Sequence, residues 1–251
     1  MFVPSAEVML MGAVVALYLF DSMVLLYCNE AVMYPVGQEG WKLSFGSRRF
    51  QWRGREVFLP NPLKPHRPLY RVVWSYGAPS HEGASPHWHR SYPGLGIAIW
   101  SMALSLGLLL PLGLFSRWGD VMIVAALIVF YGAALVALGM LWRRRKALRL
   151  GRNPFLRLAF ECLTCPPFAL NLIRHVSLLT QPVELLPAAS GLQDVKAWEG
   201  TRQLLVARLQ GELQWLGPSD PETKTVEAEL ERLALFQHPD GDSAHDRKGS
   251  R

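Results

Sequence analysis

Charged side chains are scarce in this chain of 251 residues. Asp, Glu, Lys and Arg make up 18% of it, whereas they make up about 25% of soluble domains. The shortage is local, because three long apolar runs hold almost no charge while the segments between and after them are well charged. This distribution predicts an integral membrane protein rather than a soluble domain.

Cysteine is also scarce, and the spacing of the cysteines indicates the redox state of their cellular compartment. The three cysteines do not have the spacing of a secreted disulfide framework, so we expect the segments that carry them to lie in a reducing compartment. Arg outnumbers Lys by 20 to 6. We interpret this preference as the habit of a high-GC bacterial genome.

Familiar catalytic motifs are missing as well. The sequence contains neither a phosphate-binding G-x-x-x-x-G-K-[ST] loop nor a G-x-S-x-G nucleophile turn, and no dinucleotide-binding fingerprint follows a predicted strand. The pI of 9.4 could indicate nucleic-acid binding. However, the basic excess lies near the apolar runs, and residues 176–251 hold eight basic and twelve acidic residues. We therefore predict no nucleic-acid partner. Because the familiar catalytic motifs are missing, we interpret the chain as non-enzymatic.

The three apolar runs cover residues 8–28, Leu95–Phe115 and 121–142. Each has about the 20 residues that a helix needs to cross the hydrocarbon core of a bilayer, and none has the alternation of a barrel strand. The sequence therefore predicts three transmembrane helices. No basic residue precedes the first run and no small-residue cleavage site follows it, so we expect it to remain rather than to be a cleaved signal peptide.

The distribution of basic residues predicts the orientation. Residues 29–93 hold nine basic residues and residues 143–175 hold eight, whereas residues 1–7 hold none and residues 116–120 hold one. Positive charge marks the cytoplasmic side of a membrane protein. We therefore expect a bacterial inner-membrane protein with a periplasmic N-terminus and a cytoplasmic C-terminus.

The connection between the first two runs, residues 29–93, predicts a small antiparallel β meander. Apolar and polar residues alternate along its strands, and Gly46-Ser47 suits a type II′ hairpin turn. A proline-rich connector at residues 60–68 precedes the last strand. The predicted strands cover residues 41–45, 50–52, 57–59 and 69–76. We expect the meander to lie against the membrane with its arginines near anionic lipid head groups. The alternative is that these arginines are solvated.

The C-terminal third predicts further helices. Residues 143–180 are apolar but contain basic residues throughout, and Pro166-Pro167 interrupt the segment. This pattern favours two membrane-surface helices over a fourth span. Thr164 is placed to cap the second of these helices. Residues 181–238 have the apolar spacing of an amphipathic helical hairpin. Residues 239–251 are polar and predict a disordered tail.

Three constellations could carry chemistry. One is the His81–His89 segment, in which His-x-His could bind a metal and for which a membrane-proximal loop is the alternative. Cys162 and Cys165 form a C-x-x-C pair that could bind zinc or exchange thiols, with His81, His87, His89, His175 and Cys28 as possible further ligands. A single C-x-x-C pair is weak evidence, and small cysteines packed between helices are the alternative. Asp21, in the first apolar run, is an intramembrane carboxylate, which predicts either structural pairing within the helix bundle or an ion pathway.

The sequence therefore predicts an α-helical integral membrane protein with three transmembrane helices, a small cytoplasmic antiparallel β meander and a cytoplasmic helical region. We interpret it as a multi-pass subunit or scaffold of the inner membrane whose cytoplasmic face docks a membrane partner or a second copy. Two alternatives remain. One is a membrane-bound thiol or metal protein that uses Cys162 and Cys165, and the other is a transporter component centred on Asp21.

Overall fold

Helices dominate the computed structural model, and two small sheets accompany them. The structure describes residues 5–37, 40–74, 94–117, 119–148, 150–179, 183–214, 216 and 220–235. The helices are α1 (Ala6–Ser22), α2 (Leu95–Leu104), α3 (Leu110–Phe115), α4 (Gly119–Arg144), α5 (Arg152–Thr164), α6 (Pro166–Leu170), α7 (Leu172–Leu178), α8 (Leu185–Leu192), α9 (Val195–Leu213) and α10 (Pro221–Leu235). The strands are β1 (Val24–Leu26), β2 (Glu30–Pro35), β3 (Trp41–Ser44), β4 (Ser47–Trp52), β5 (Arg55–Phe58), β6 (Tyr70–Val73) and β7 (Val183–Glu184).

Two helical segments are long and apolar enough to cross a membrane. The first is Leu95–Phe115, in which a π-helical turn joins α2 to α3, and the second is α4. In each, 28% of the most apolar window is buried, whereas the core helix of a soluble protein is covered on most sides. Both apolar helices predicted for the middle of the chain are therefore confirmed as helices.

Three local features shape this helical pair. The π-helical turn Ser105–Leu109 ends two residues before Pro111, which has no backbone N–H to donate and so favours a local widening of the helix. Gly113 allows α3 to approach α4 closely, since a Cβ there would lie 2.7 Å from Cγ1 of Ile123. The hydroxyl of Ser105 also donates to the carbonyl of Ala126 across the pair, at 2.6 Å.

The first predicted span is only partly helical. α1 ends at Ser22, and the residues expected to complete the span turn into strand β1 instead, which pairs with β5. Helix α1 is 17 residues long, and three membrane-spanning helices are not shown. The helix ends here because the hydroxyl of Ser22 and the carboxylate of Asp21 are held by the side-chain amide of Asn171, between α6 and α7. The chain after them gains strand hydrogen bonds.

The strands form two sheets rather than one meander. The first sheet has the order β1-β5-β4, and the second has the order β3-β2-β6-β7. The predicted hairpin at Gly46-Ser47 is wrong, because β3 pairs with β2 and β4 pairs with β5. Gly46 instead carries the chain from one sheet to the other, past the backbone of β5. A Cβ on Gly46 would lie 2.4 Å from Cβ of Glu56, so a side chain does not fit.

The second sheet is covered on one face by α8, α9 and α10. Its strands contribute buried aromatic and aliphatic side chains, among them Trp41, Tyr70 and Trp74. The apolar side chains of the C-terminal helices, including Leu205 and Leu233, belong to the same buried cluster. The indole of Trp74 donates to the carboxylate of Glu229 at 2.9 Å. The apolar stripe of the C-terminal helices is thus buried within the chain.

The segment predicted as two membrane-surface helices forms three. α5 ends before Pro166, and α6 and α7 follow with a break at Asn171. Cys165, not Thr164, precedes the second helix, and the hydroxyl of Thr164 donates back to the carbonyl of Phe160. Buried residues of all three helices share one core cluster with α2 and α4, so these helices cover part of the apolar pair.

Candidate functional site

Asp21 lies in the last turn of α1, one residue before the helix ends at Ser22. One of its carboxylate oxygens accepts a hydrogen bond from the amide of Asn171 at 2.8 Å and lies 3.0 Å from Nε2 of His175. The ring of His175 stacks on Phe168, with the ring centroids 4.0 Å apart. The partners of Asp21 are therefore Asn171, between α6 and α7, and His175 of α7.

Arg174 extends this network into the interior. It is 3% exposed, and one guanidinium nitrogen donates to Asn171 Oδ1 at 2.8 Å and to Ser22 Oγ at 3.2 Å. The other terminal nitrogen donates to the carbonyls of Asn61 and Lys64, at 2.7 and 3.1 Å. Burial lowers the pKa of this guanidinium. The arginine thus joins α1, α7 and the proline-rich connector through uncharged acceptors.

Sequence reasoning missed Asn171 and Arg174 as members of this network. The available signal was their position within an apolar helical run, where buried polar and charged groups need partners. His175 was considered only as a further ligand for the cysteine pair. The partners themselves lie about 150 positions away along the chain, as Ser22 and Asn171 do, and no local pattern shows such a pairing.

The cysteine pair occupies two different environments. Cys162 is completely buried in the core cluster of α2, α4 and α5, and Cys165 is half-buried. Burial, with a smaller contribution from the carboxylate of Asp21, raises the pKa of the Cys162 thiol to about 12. Such a thiol is neutral at physiological pH and is a poor nucleophile.

The proposed histidine ligands cannot be placed beside these cysteines. His87 and His89 lie outside the described residues. Within the described part of the chain, no three His, Cys, Asp or Glu side chains are grouped so that they could hold a metal ion. The zinc site therefore stays a prediction.

The apolar helices leave large surfaces uncovered. On α1, the side towards the rest of the chain carries half-buried Met11, Val14 and Tyr18. The opposite side carries the exposed residues Gly12 and Ala16, and no atom lies within 4 Å of the Cβ position of Gly12. We call the exposed residues Met9, Gly12, Ala13, Ala16 and Phe20 the open face of α1.

Comparison with known proteins adds no relative. The chain matches no protein family model, no curated protein sequence and no solved structure.

Proposed function

We propose that this chain is a non-enzymatic subunit or scaffold of the bacterial inner membrane, which docks a membrane-protein partner or a second copy through the open face of α1. In this proposal α1, Leu95–Phe115 and α4 cross the bilayer, and the two sheets with α8–α10 lie on the cytoplasmic side. The open face carries the proposal, because it is a small-residue surface on an apolar helix with no covering segment among the described residues.

The uncovered apolar surfaces support insertion in a membrane. Ile97, Leu104, Leu108 and Leu112 are exposed along one side of the α2–α3 segment. On α4, Val121, Val124 and Ile128 are among the exposed aliphatic side chains. Exposing this much continuous apolar surface to water would be unfavourable, whereas lipid tails solvate it.

Aromatic and basic residues support a location of the first sheet at the membrane surface. Phe20 near the end of α1 and Trp52 on β4 are both exposed, and their rings meet edge to face with centroids 6.3 Å apart. Aromatic side chains favour the head-group region. Arg49 and Arg53 are exposed on the same hairpin, where they would reach anionic lipid phosphates.

The packing of the C-terminal hairpin moves the proposed docking surface. Its apolar side could rest on the β meander, on the membrane-surface helices or on a partner, and in the structure it rests on the second sheet. A partner would have to displace Trp41 and Trp74 from this core. The open face of α1 needs no such rearrangement, and the spacing of Gly12 and Ala16 is the small-x-x-x-small pattern that allows two membrane helices to approach closely.

The substitution Gly12→Leu tests this function. A leucine side chain would separate two helices that pack at Gly12, while it would meet only lipid on an isolated helix. We expect the full-length wild type extracted in mild detergent to migrate on a native gel as a complex larger than one 28.2 kDa chain. The Gly12→Leu variant should migrate mostly as the single chain.

Gly132→Leu provides a matched control. Gly132 is an exposed glycine on α4, and no atom lies within 4 Å of its Cβ position. The control should retain the wild-type complex. A wild type that already migrates as a single chain, or a Gly12→Leu variant that keeps the complex, would show that the open face of α1 docks nothing.

A further inference from the structure

A pocket of about 180 Å³ lies where α1 ends and the first sheet begins. Asp21 and Ser22 of α1, residues 23–25 and Leu178 at the end of α7 form its walls, and Arg55 and Arg71 reach it from β5 and β6. Arg174 and His175 complete the lining. This pocket is much larger than the ~30 Å³ that one water molecule occupies in the liquid.

The lining has an excess of positive charge. Three guanidinium groups, those of Arg55, Arg71 and Arg174, face one lining carboxylate, that of Asp21. The carboxylate of Glu30 partly neutralises the charge of Arg71, with Oε1 of Glu30 lying 3.2 Å from Nη1 of Arg71. Asp21 itself lies within hydrogen-bond distance of His175. At least one guanidinium charge thus remains without a carboxylate beside it.

Arg174 is the clearest case of this excess charge. It is buried, with 3% of its surface exposed, and the four acceptors of its terminal nitrogen atoms are uncharged oxygen atoms. The Nε atoms of Arg174 and Arg71 are both buried without a hydrogen-bond partner among the described residues. Asp21 attracts this guanidinium, but its carboxylate also pairs with Asn171 and His175. A buried charge with so little counter-charge is costly, and an anion in the adjoining pocket would supply more of it.

We propose that this pocket binds a phosphate group, either in the head group of a phospholipid or as a soluble phosphate. Guanidinium groups suit this ligand because their paired N–H donors match the oxygen atoms of a phosphate. Exposed Phe20, one residue before Asp21, contacts Trp52, which favours the lipid as the source. The proposal goes beyond the docking role of α1, and it requires no partner protein.

Binding measurements on purified full-length protein in a maltoside detergent test the pocket. The probes are dihexanoyl phosphatidylglycerol and inorganic phosphate, and dihexanoylglycerol serves as the lipid without phosphate. We expect at least the phospholipid to bind. Binding of inorganic phosphate as well would identify a general phosphate site, and binding of the phospholipid alone would identify a lipid site. Both results support the proposal.

Arg55→Gln shows whether the binding occurs in this pocket. Loss of a charge-assisted contact should weaken binding by about tenfold or more. Arg202→Gln is the control, because Arg202 lies on α9, outside the surface proposed to meet lipid, and does not line the pocket. Should Arg55→Gln fail to fold, Arg55→Lys keeps the charge but not the paired donors, and it should weaken binding several-fold.

Three results would overturn the proposal: no phosphate probe binds, dihexanoylglycerol binds as tightly as phosphatidylglycerol, or folded Arg55 variants bind like the wild type. None of these results depends on whether Gly12→Leu disrupts a complex, so failure of the pocket and failure of the docking role remain distinguishable.

Discussion

At the scale of single residues, the two cysteines of the C-x-x-C pair differ in burial, although only two residues lie between them. The thiol of Cys162 is buried, whereas Cys165 at the start of α6 is half-buried and Cys28 is exposed. Because burial raises the pKa of Cys162 to about 12, its reactive thiolate form is scarce below that pH. The three cysteines should therefore differ in reactivity.

We predict that a maleimide reagent at pH 7.5 labels Cys28 readily and Cys162 at least about tenfold more slowly, since only the thiolate reacts and access is blocked. Mass spectrometry of peptides after timed labelling measures this difference, and labelling in denaturant provides the control in which all three react. Equal labelling of Cys28 and Cys162 in the folded protein would contradict the buried assignment. Zinc near one equivalent that is lost in a Cys162→Ser, Cys165→Ser double variant would instead favour the metal-binding alternative.

At the scale of elements, α9 is joined to the first sheet by a buried ion pair. The guanidinium of Arg208 lies 2.6 Å from the carboxylate of Glu56 on β5 and donates to the carbonyl of Cys28. Both side chains are at most 7% exposed. The guanidinium also stacks over the ring of Phe45 at 4.3 Å. This pair holds α9, whose apolar side covers the second sheet, against the first sheet as well.

Glu56→Gln should therefore destabilise the packing of α9 on the sheets by about 3 kcal/mol, because it leaves the buried charge of Arg208 without its partner. Urea unfolding in detergent, followed by the fluorescence of the buried tryptophans or by pulse proteolysis, measures the loss. Glu212→Gln is the matched control. Glu212 also faces Arg208, but at 3.9 Å and with a side chain that is 23% exposed, so its loss should cost less than about 1 kcal/mol. Equal effects of the two substitutions would mean that the buried pair has no special role.

At the scale of the whole molecule, charge and apolar surface divide the chain into an apolar helical part and a more polar part, which we propose to lie in the membrane and in the cytoplasm. The tight turn between α3 and α4 carries one basic residue, whereas both flanking segments of the helical pair are strongly basic. The positive-inside tendency therefore predicts that this turn is periplasmic and that both flanks are cytoplasmic.

Topology reporters test this arrangement. Fusions after Leu63 and after Gln181 should report the cytoplasm, and a fusion within residues 116–120 should report the periplasm. A periplasmic signal after Gln181 would establish another crossing between α4 and the C-terminal helices. A periplasmic signal after Leu63 would mean that α1 does not cross the bilayer in the proposed direction.

The sequence correctly predicts the two long apolar helices and the helical character of the C-terminal third. It also located most of the β-forming residues between Trp41 and Val73. These features could be predicted because apolar length, a helical period of 3.6 and strand alternation are properties of neighbouring residues. The assignment of His87 and His89 to a metal site remains a prediction, because both histidines lie outside the described residues.

Three features depend on contacts between distant parts of the chain: the end of α1, the division of the strands into two sheets, and the surroundings of Asp21 and Arg174. Ser22 and Asn171 are 149 positions apart, and Glu56 and Arg208 are 152 positions apart. The energy that ends the helix and buries these polar groups comes from such distant partners, which satisfy their charges and hydrogen bonds. A local sequence pattern does not predict these partners, because they lie about 150 positions away along the chain.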